Sequence, residues 1–324
     1  MANPVIAEVT RGGIVESRHT GAYAVMGLDG KLIASAGDID QPVFPRSAIK
    51  AFQCLPVIES GAASRFGFTG EEVALACASH GGEAGHVNAA RSMLEKAGNS
   101  EDHFECGAHW PLVSRARDEL VRQGLVPRAI HNNCSGKHAG MLALARQLGA
   151  EPSGYASPAH PVQRAIAKTI GKICDCDPGD APCGVDGCSV PTWAMPLRNL
   201  ALGFARFTAP ENTAARHIIE AVRAHPFMVA GTGRFDTIVM GEVPEVFIKT
   251  GAEGVYCGCV PETGIGIALK CDDGAKRAAS ALMALLLAHH GSLPEPSRQT
   301  LMKHTRGEMR NWRKIHVGDI RAVM

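Results

Sequence analysis

The sequence predicts an α+β fold in which both chain ends build one antiparallel sheet and the middle of the chain forms a mainly helical subdomain. Short β-leaning runs separated by Gly-containing turns occupy about the first 40 residues. Apolar residues then follow helical spacing as far as about Pro226, and strand character returns over 235–271. The expected parts of this single unit, 1–324, are a sheet-containing subdomain over 1–45 and 227–324 and a helical subdomain over 46–226.

Individual elements follow from turn residues and from the period of the apolar positions. Leu28-Asp29-Gly30-Lys31 is the clearest hairpin turn, because Asp-Gly favours the tight turns that join antiparallel strands. The predicted helices are 46–58, 82–97, 113–123, 136–149, 160–173, 211–224 and 275–290. The predicted late strands are FDTIVMG, EVFIKTG, GVYCGCV and GIGIALKC.

The charge balance favours a small-molecule partner. Lys plus Arg total 33 against 32 for Asp plus Glu, so no basic field attracts nucleic acid or an anionic membrane. The 45% hydrophobic content is enough for a large core, but no apolar run reaches the length of about 20 residues that a bilayer span needs. We expect neither a nucleic-acid partner nor membrane insertion.

The cysteine content indicates a reducing compartment. Eleven cysteines is an odd number, and the chain lacks the regular spacing of a disulfide framework. The first 25 residues are interrupted by charged residues and do not form the apolar core of a signal peptide. We therefore expect a cytoplasmic protein with free thiols.

Ser47-Ala48-Ile49-Lys50 is the first candidate for chemistry. Residues three apart share one face of a helix, so the Lys50 amine can reach the Ser47 hydroxyl. A serine becomes a good nucleophile when a neighbouring base takes its proton, and a desolvated lysine can act as that base. Taken alone, the motif is weak evidence, because an exposed helical lysine near a serine at the helix N-terminus gives the same pattern.

Lys249-Thr250-Gly251 is the second candidate, at the end of a β-leaning run. By itself it could be an edge-strand lysine followed by a turn. Its order in the chain changes this interpretation, because S-x-x-K opening the first helix and K-T-G on a late strand are the arrangement of penicillin-recognising serine enzymes. The two motifs together favour a serine hydrolase.

Ser79 lies in the run Ala76-Cys77-Ala78-Ser79-His80-Gly81-Gly82-Glu83, which resembles an apolar strand entering a Gly-rich turn. At the start of a helix its surroundings could bind an anion through backbone N–H groups, or Ser79 could simply cap the helix. A histidine at such a turn, here His80, is more typical of hydrogen bonding than of base catalysis.

Two polar loops carry thiols: HNNCSGKHAG contains Cys134, and GVDGCSVP contains Cys188. Zinc-finger spacing is absent, so spacing alone favours buried thiols over metal ligands. The Cys-x-Cys pairs at 174–176 and 257–259 also lack a second pair of ligands.

These segments resemble a known family. FPRSAIK, ACASHGGE, HNNCSGKHAGML, GVDGCSVPTWAMPL, GTGRFDT, FIKTGAEGVY and GIGIALKCDDG are similar to the rhizobial-type L-asparaginases over nearly the whole chain. That resemblance implies a β-lactamase/glutaminase-like fold, a homodimer and hydrolysis of L-asparagine to L-aspartate and ammonia.

Residue by residue, the resemblance makes Ser47 and Lys50 one catalytic pair. Ser79 matches the second serine and Lys249 its lysine partner, with Lys270 as the alternative for that lysine. Which serine is the nucleophile is left open, with Ser47 preferred.

The resemblance also implies one zinc ion per chain, bound by Cys134, Lys137 and Cys188. A lysine ligand must be deprotonated, so this site requires a depressed lysine pKa. The ion is expected to orient the substrate rather than to be essential for the chemistry.

The expected reaction is acyl transfer, with a β-aspartyl ester formed on serine and then hydrolysed. Asp186 is the candidate for binding the substrate ammonium group, and Arg46 or His131 for its carboxylate. The alternatives are a glutaminase, a β-lactam-recognising hydrolase, or a non-catalytic protein of this fold that binds an amino acid or a metal.

Overall fold

A computed structural model describes residues 2–324 of the chain. The strands are β1 (Val5–Arg11), β2 (Ile14–Gly27), β3 (Leu32–Ala36), β4 (Pro42–Val43), β5 (Cys183–Val185), β6 (Pro191–Trp193), β7 (Met195–Pro196), β8 (Phe247–Thr250), β9 (Val255–Val260), β10 (Ile265–Cys271), β11 (Arg306–Arg310) and β12 (His316–Ala322). All of the described strand pairs are antiparallel.

The helices begin with α1 (Lys50–Glu59), α2 (Ala62–Arg65), α3 (Gly70–Ala76), α4 (Ala84–Lys96), α5 (Ser114–Arg122), α6 (Ser135–Gln147) and α7 (Pro161–Cys174). They continue with α8 (Leu197–Phe207), α9 (Thr213–Ala224), α10 (Pro226–Ala230), α11 (Phe235–Glu242), α12 (Lys276–His290) and α13 (Glu295–His304). Short 3₁₀ turns lie at Arg46–Ile49, Glu101–His103 and Ala129–His131. None of the helices of residues 2–324 is long and apolar enough to cross a membrane.

Several helices begin at side chains that satisfy the free N–H groups of a first turn. Thr69 and Glu72 form a reciprocal capping box at the start of α3. Asn212 caps α9 by accepting a hydrogen bond from Ala215 N. At α7, His160 caps the helix and Pro161 occupies its first position.

The chain divides into two compact units, and the first holds the main sheet. This unit comprises Met1–Ala48, Ala194–Ala209 and Glu242–Met324. Its strand order is β11-β12-β1-β2-β10-β9-β8, and β3 also pairs with β2. The first half of β2 pairs with β1 and the second half with β10, so one long strand joins the two parts of the sheet.

Helices α8 and α12 cover this sheet, since α8 packs on β2 and β10 and α12 packs on β9, β10 and β12. The approach of α8 requires a glycine in β10. A Cβ at Gly266 would lie 2.1 Å from Ala205 N and 2.2 Å from Ala201 O, both backbone atoms. The glycine therefore sets how closely the helix backbone can lie on the strand.

A hydrogen-bonded network ties β2 to the turn after β10. His19 Nδ1 lies 2.6 Å from Asp273 Oδ2, and the Cys271 thiol donates to the other carboxylate oxygen at 2.9 Å. Arg277 Nε donates to His19 Nε2 at 3.2 Å, so the proton of the neutral ring is on Nδ1. His19, Cys271 and Asp273 lie close enough together to bind a metal, but each already has a hydrogen-bond partner.

The second unit comprises Ile49–Trp193 and Pro210–Gly241 and is mainly helical. Helix α6 lies at its centre, because every residue of Ser135–Ala145 is buried. Helix α1 packs against α6, α7 and α9, while α3 packs against α4, α6 and α9. A helix that is buried on all sides needs small residues where its neighbours approach, and Gly136 and Gly140 in α6 supply them next to α3.

The predicted fold class is confirmed, with an antiparallel sheet from both chain ends and a helical middle. Compared with the predicted subdomains, residues 46–48 and 194–209 lie in the sheet unit and residues 227–241 lie in the helical unit.

Two strand predictions are wrong. FDTIVMG forms α11, where Asp236, Val239 and Met240 are buried at helical spacing and override the β-branched composition. In ACASHGGE, Ala76 ends α3 and the remaining residues form a loop.

Candidate active site

Lys50 is the first residue of α1 and follows the 3₁₀ turn Arg46–Ile49. Its side chain is fully buried. Lys50 Nζ lies 2.5 Å from Ala78 O, 2.9 Å from Ser79 Oγ and 3.0 Å from Cys134 Sγ. A buried amine with three partners of this kind joins a serine hydroxyl and a thiol in one cluster.

Ser79 lies in the loop between α3 and α4 and is only 5% exposed. Its backbone N–H donates to Val229 O at 2.9 Å, and the next N–H, that of His80, donates to Asn133 O at 3.1 Å. These bonds fix the loop against α10 and the segment before α6. The Ser79 N–H is therefore occupied by a protein carbonyl and is not available to an anion.

Two glycines let this loop turn within the packed unit. Gly82 has φ +75°, and its N–H donates to His80 Nδ1 at 3.1 Å. A Cβ at Gly81 would lie 2.5 Å from the Val113 side chain, and one at Gly82 would lie 3.0 Å from Pro111 Cα. Larger residues here would displace the Ser79 loop.

His80 is a neutral structural histidine. Burial, together with repulsion from His86 and Lys50, holds its pKa well below the ordinary value of 6.5. Its Nδ1 accepts from Gly82 N, so Nε2 carries the proton and donates to Ser135 Oγ at 3.0 Å. Its ring also stacks on His86 at 4.8 Å. His80 thus bonds the Ser79 loop to the first turn of α6.

Cys134 immediately precedes α6 and is 4% exposed. Its N–H donates to Asn132 Oδ1 at 2.8 Å, and the Asn132 amide nitrogen donates to Cys106 O at 2.8 Å. These bonds orient the thiol towards Lys50. Three residues later on the same face of the helix, Lys137 Nζ lies 2.9 Å from Cys188 Sγ.

The two thiols share one hydrogen bond. The bond from Cys188 lowers the pKa of Cys134 well below its ordinary value of 9.0, and Lys50 and Lys137 act in the same direction. The same bond, together with burial, raises the pKa of Cys188.

Burial by itself favours a neutral amine at Lys137, but Cys188 and Cys134 outweigh it and raise the pKa of this lysine. The expected zinc site required the opposite, a lowered pKa for Lys137. The pKa of Lys137 is raised because both sulfurs attract the positive charge of the ammonium group, which favours the protonated lysine.

Asp186 lies in the tight turn before Cys188 and is half-buried. Its N–H donates to Val190 O at 2.9 Å, and Asp186 Oδ2 lies 3.9 Å from Cys188 Sγ. His131 lies in the 3₁₀ turn before α6, where partial burial lowers its pKa and Nδ1 accepts from Arg128 N.

The remaining predicted residues belong to the sheet unit. Ser47 and Arg46 are half-buried in the 3₁₀ turn before α1, and Arg46 has φ +51°. Lys249 is fully buried on β8 and donates to Thr250 O at 2.8 Å. Lys270, on β10, donates to Glu253 O at 2.8 Å.

Within the helical unit, the structure brings together Lys50, Ser79, Cys134, Lys137 and Cys188, with Asp186 beside them. The pairing it contains is Lys50 with Ser79. The pairings Ser47 with Lys50 and Ser79 with Lys249 join residues of different units and stay predictions.

The sequence analysis missed two contacts that support the site. One is the contact of His80 with Ser135, and the other is a hydrogen bond of 2.6 Å between His138 Nδ1 and the Tyr155 hydroxyl. Burial of His138 lowers its pKa to about 4. The sequence signal for such contacts is a polar residue within an otherwise apolar helical segment.

Comparison with known proteins gives a match to the L-asparaginase II family over residues 7–322. Among solved structures, the chain is similar to a β-lactamase from Mycobacterium bovis, with 13% identity, a TM-score of 0.42, and coverage of 83% of this chain and 94% of that chain. It is also similar to the D-alanine carboxypeptidase AmpC from Burkholderia cenocepacia, with 14% identity, a TM-score of 0.36, and coverage of 88% and 92%. No curated protein sequence matches the chain.

Proposed function

The chain belongs to the L-asparaginase II family and is an amidohydrolase that converts L-asparagine to L-aspartate and ammonia, and we propose that it does so through a serine acyl-enzyme. The observation that carries this proposal is the buried Lys50 amine, 2.9 Å from Ser79 Oγ. A buried amine within hydrogen-bond reach of a serine hydroxyl can exchange a proton with it, and this is the contact that a proton relay from Lys50 through Ser79 needs.

Lys50 can exchange a proton in this position. As an ammonium group it donates to Ala78 O, Ser79 Oγ and Cys134 Sγ, which uses all three of its protons. As a free amine it keeps two donors, and its lone pair can accept a proton from a hydroxyl group. Both states are satisfied by the same partners, so proton transfer requires little movement of the cluster.

In the proposed reaction, Ser47 attacks the side-chain amide carbon of asparagine and its proton passes to Lys50. Ser79 relays a proton to the amide nitrogen, the C–N bond breaks and ammonia leaves. Water then attacks the ester, aspartate departs and Ser47 regains its proton. Lys249 is proposed to act with Ser79 both in the proton relay to the departing ammonia and in the activation of water.

The free amino-acid substrate needs partners for both charged groups. We assign the substrate ammonium group to Asp186 and its carboxylate to Arg46 or His131. Asp186 is suited to this role because its carboxylate lies 3.9 Å from Cys188 Sγ, beside the Lys50 cluster.

The same cluster fits a zinc ion. Cys134 and Cys188 share a hydrogen bond, and Lys137 Nζ lies 2.9 Å from Cys188 Sγ, so two sulfurs and one nitrogen converge at a buried point. Thiolates and nitrogen are ligands that zinc prefers. We propose one zinc per chain, bound by Cys134, Lys137 and Cys188, which supplies a positive charge that orients the substrate. Binding would release the protons that Lys137 and Cys188 now hold.

We also propose a cytoplasmic homodimer. Support for the compartment comes from the number of cysteines, eleven, because a reducing environment keeps thiols reduced. The dimer rests on the family resemblance.

Trapping of the acyl-enzyme tests the mechanism. Purified wild type should release ammonia from asparagine, and acid quenching during turnover should trap a β-aspartyl ester that peptide mapping places on Ser47. An adduct that maps to Ser79 in a Ser47→Ala variant would move the nucleophile to Ser79. Full activity in the Ser47→Ala, Ser79→Ala double variant would refute serine catalysis.

A further inference from the structure

His138 is a fully buried histidine in the first turn of α6, directly after Lys137. Among residues 2–324, its Nε2 is one of the few buried side-chain polar atoms without a hydrogen-bond partner. Leaving a buried polar group unsatisfied is unfavourable, and such groups are rare in folded proteins. The hydrogen bonds within the protein therefore do not account for the burial of His138 Nε2.

Tyr155 determines which ring nitrogen carries the proton. The backbone N–H of Glu105 donates to the Tyr155 oxygen at 3.0 Å, and this oxygen lies 2.6 Å from His138 Nδ1. Tyr155 is fully buried, so its own proton needs an acceptor, and His138 Nδ1 is within reach. The hydroxyl therefore donates to Nδ1, which leaves the proton of the neutral ring on Nε2.

Tyr155 itself is held rigidly. The Glu105 carboxylate accepts from Gly154 N at 2.6 Å and from Ala156 N at 3.0 Å, on both sides of the tyrosine. The rings of Tyr155 and His138 meet edge to face at 5.4 Å. The imidazole thus has a fixed orientation as well as a fixed tautomer.

The Cys188 sulfur interacts with the His138 side chain, and Nε2 is the ring nitrogen that Tyr155 leaves available for this interaction. Cys188 has another donor in Lys137, whose Nζ lies 2.9 Å from the Cys188 sulfur. If Lys137 becomes a metal ligand, it must give up its proton and turn its lone pair to the metal. The Cys188 thiolate then loses this donor, and His138 remains beside it as a neutral one.

We propose that His138, oriented by Tyr155, is a positioning residue that donates from Nε2 to the Cys188 sulfur when that sulfur binds the metal. This inference rests on the zinc site of the proposed function and adds the residues that hold one of its ligands. A donor to a metal ligand fixes the ligand's orientation, and loss of such a donor lowers metal affinity about 10–100-fold in other proteins.

The test measures metal binding directly. Zinc dissociation constants are determined by competition with a chromophoric chelator for wild type and for three variants. His138→Leu removes the donor, His138→Gln retains an N–H at a similar reach, and Tyr155→Phe removes the group that sets the tautomer. Tyr256→Phe changes a buried tyrosine of β9 and is the matched control.

We expect about 10–100-fold weaker zinc binding in His138→Leu, a smaller loss in Tyr155→Phe, and near wild-type affinity in His138→Gln and Tyr256→Phe. Cobalt substitution adds a spectroscopic readout, because the thiolate-to-cobalt charge-transfer band should shift in His138→Leu. A purely structural role would lower the unfolding midpoint without shifting this band.

Wild-type zinc affinity in folded His138→Leu and Tyr155→Phe would overturn the inference while leaving the zinc site intact. If His138→Leu does not fold, Tyr155→Phe and His138→Gln decide the matter. A wild-type protein that binds no zinc would instead refute the metal assignment in the proposed function, and this inference with it.

Discussion

Gly136→Ala should damage the site more than the same substitution at Gly140, the other glycine of α6. A Cβ at Gly136 would lie 2.4 Å from Leu75 Cγ and 2.5 Å from Leu75 O. Rotation of the leucine side chain can relieve the first contact but not the second, which involves a backbone oxygen. The two helices α6 and α3 must therefore separate.

The size of the effect follows from these distances. An ordinary contact begins near 3.4 Å, so α6 must move by about 1 Å at its first turn. This turn carries Cys134 and Lys137, and a displacement of 1 Å in a catalytic site can cost about 100-fold in rate. Overpacking of a core typically costs about 1–3 kcal/mol in stability.

Gly140→Ala provides the matched control one turn later on the same helix. Its Cβ would lie 3.4 Å from the Ala76 Cβ, an ordinary contact, and alanine is favoured over glycine in a helix by about 0.5–1 kcal/mol. Ammonia release from asparagine gives kcat/KM, and denaturant titration gives the free energy of unfolding. If Gly136→Ala matched Gly140→Ala in both measurements, the close packing of α6 on α3 would not be what positions the site.

Three further predictions concern catalysis and pH. The variants Ser47→Ala and Lys50→Met should each lower kcat by several orders of magnitude. The double variant should have a kcat only slightly lower than either single variant, because nucleophile and base act as one unit. Additive losses of kcat would show that the two residues act separately. The kcat/KM for asparagine should exceed that for glutamine by at least about 100-fold, because the extra methylene of glutamine displaces its amide from the nucleophile. Comparable kcat/KM values for the two amides would indicate a glutaminase. Partial burial raises the pKa of Asp273, but hydrogen bonds from Cys271, Ala275 N and His19 outweigh it and lower that pKa to about 2. Asp273→Asn should therefore be less stable than wild type at neutral pH, and the difference in denaturation midpoint should disappear as pH falls through about 4 towards 2; a difference that persists there would exclude the carboxylate charge as its cause.

Local patterns in the sequence predicted most of the elements. The Asp29-Gly30 turn joins β2 to β3, and the predicted helices at 136–149 and 160–173 correspond to α6 and α7 within two residues at each end. These predictions succeed because turn residues and apolar spacing act over a few residues. The prediction fails for α11, where Thr237, Ile238 and Val239 favour a strand and the burial of one helical face decides the outcome.

The sequence by itself determined the α+β class, the position of Lys50 at a helix start and, through resemblance, the residues of the candidate site. Only the tertiary structure decided which of them meet. Lys50 lies beside Ser79 and Cys134, 29 and 84 residues away, and Lys137 lies beside Cys188, 51 residues away. The physical reason is that hydrogen bonds between such distant residues depend on how whole helices pack, which for α6 and α3 is set by Gly136 and its contact with Leu75.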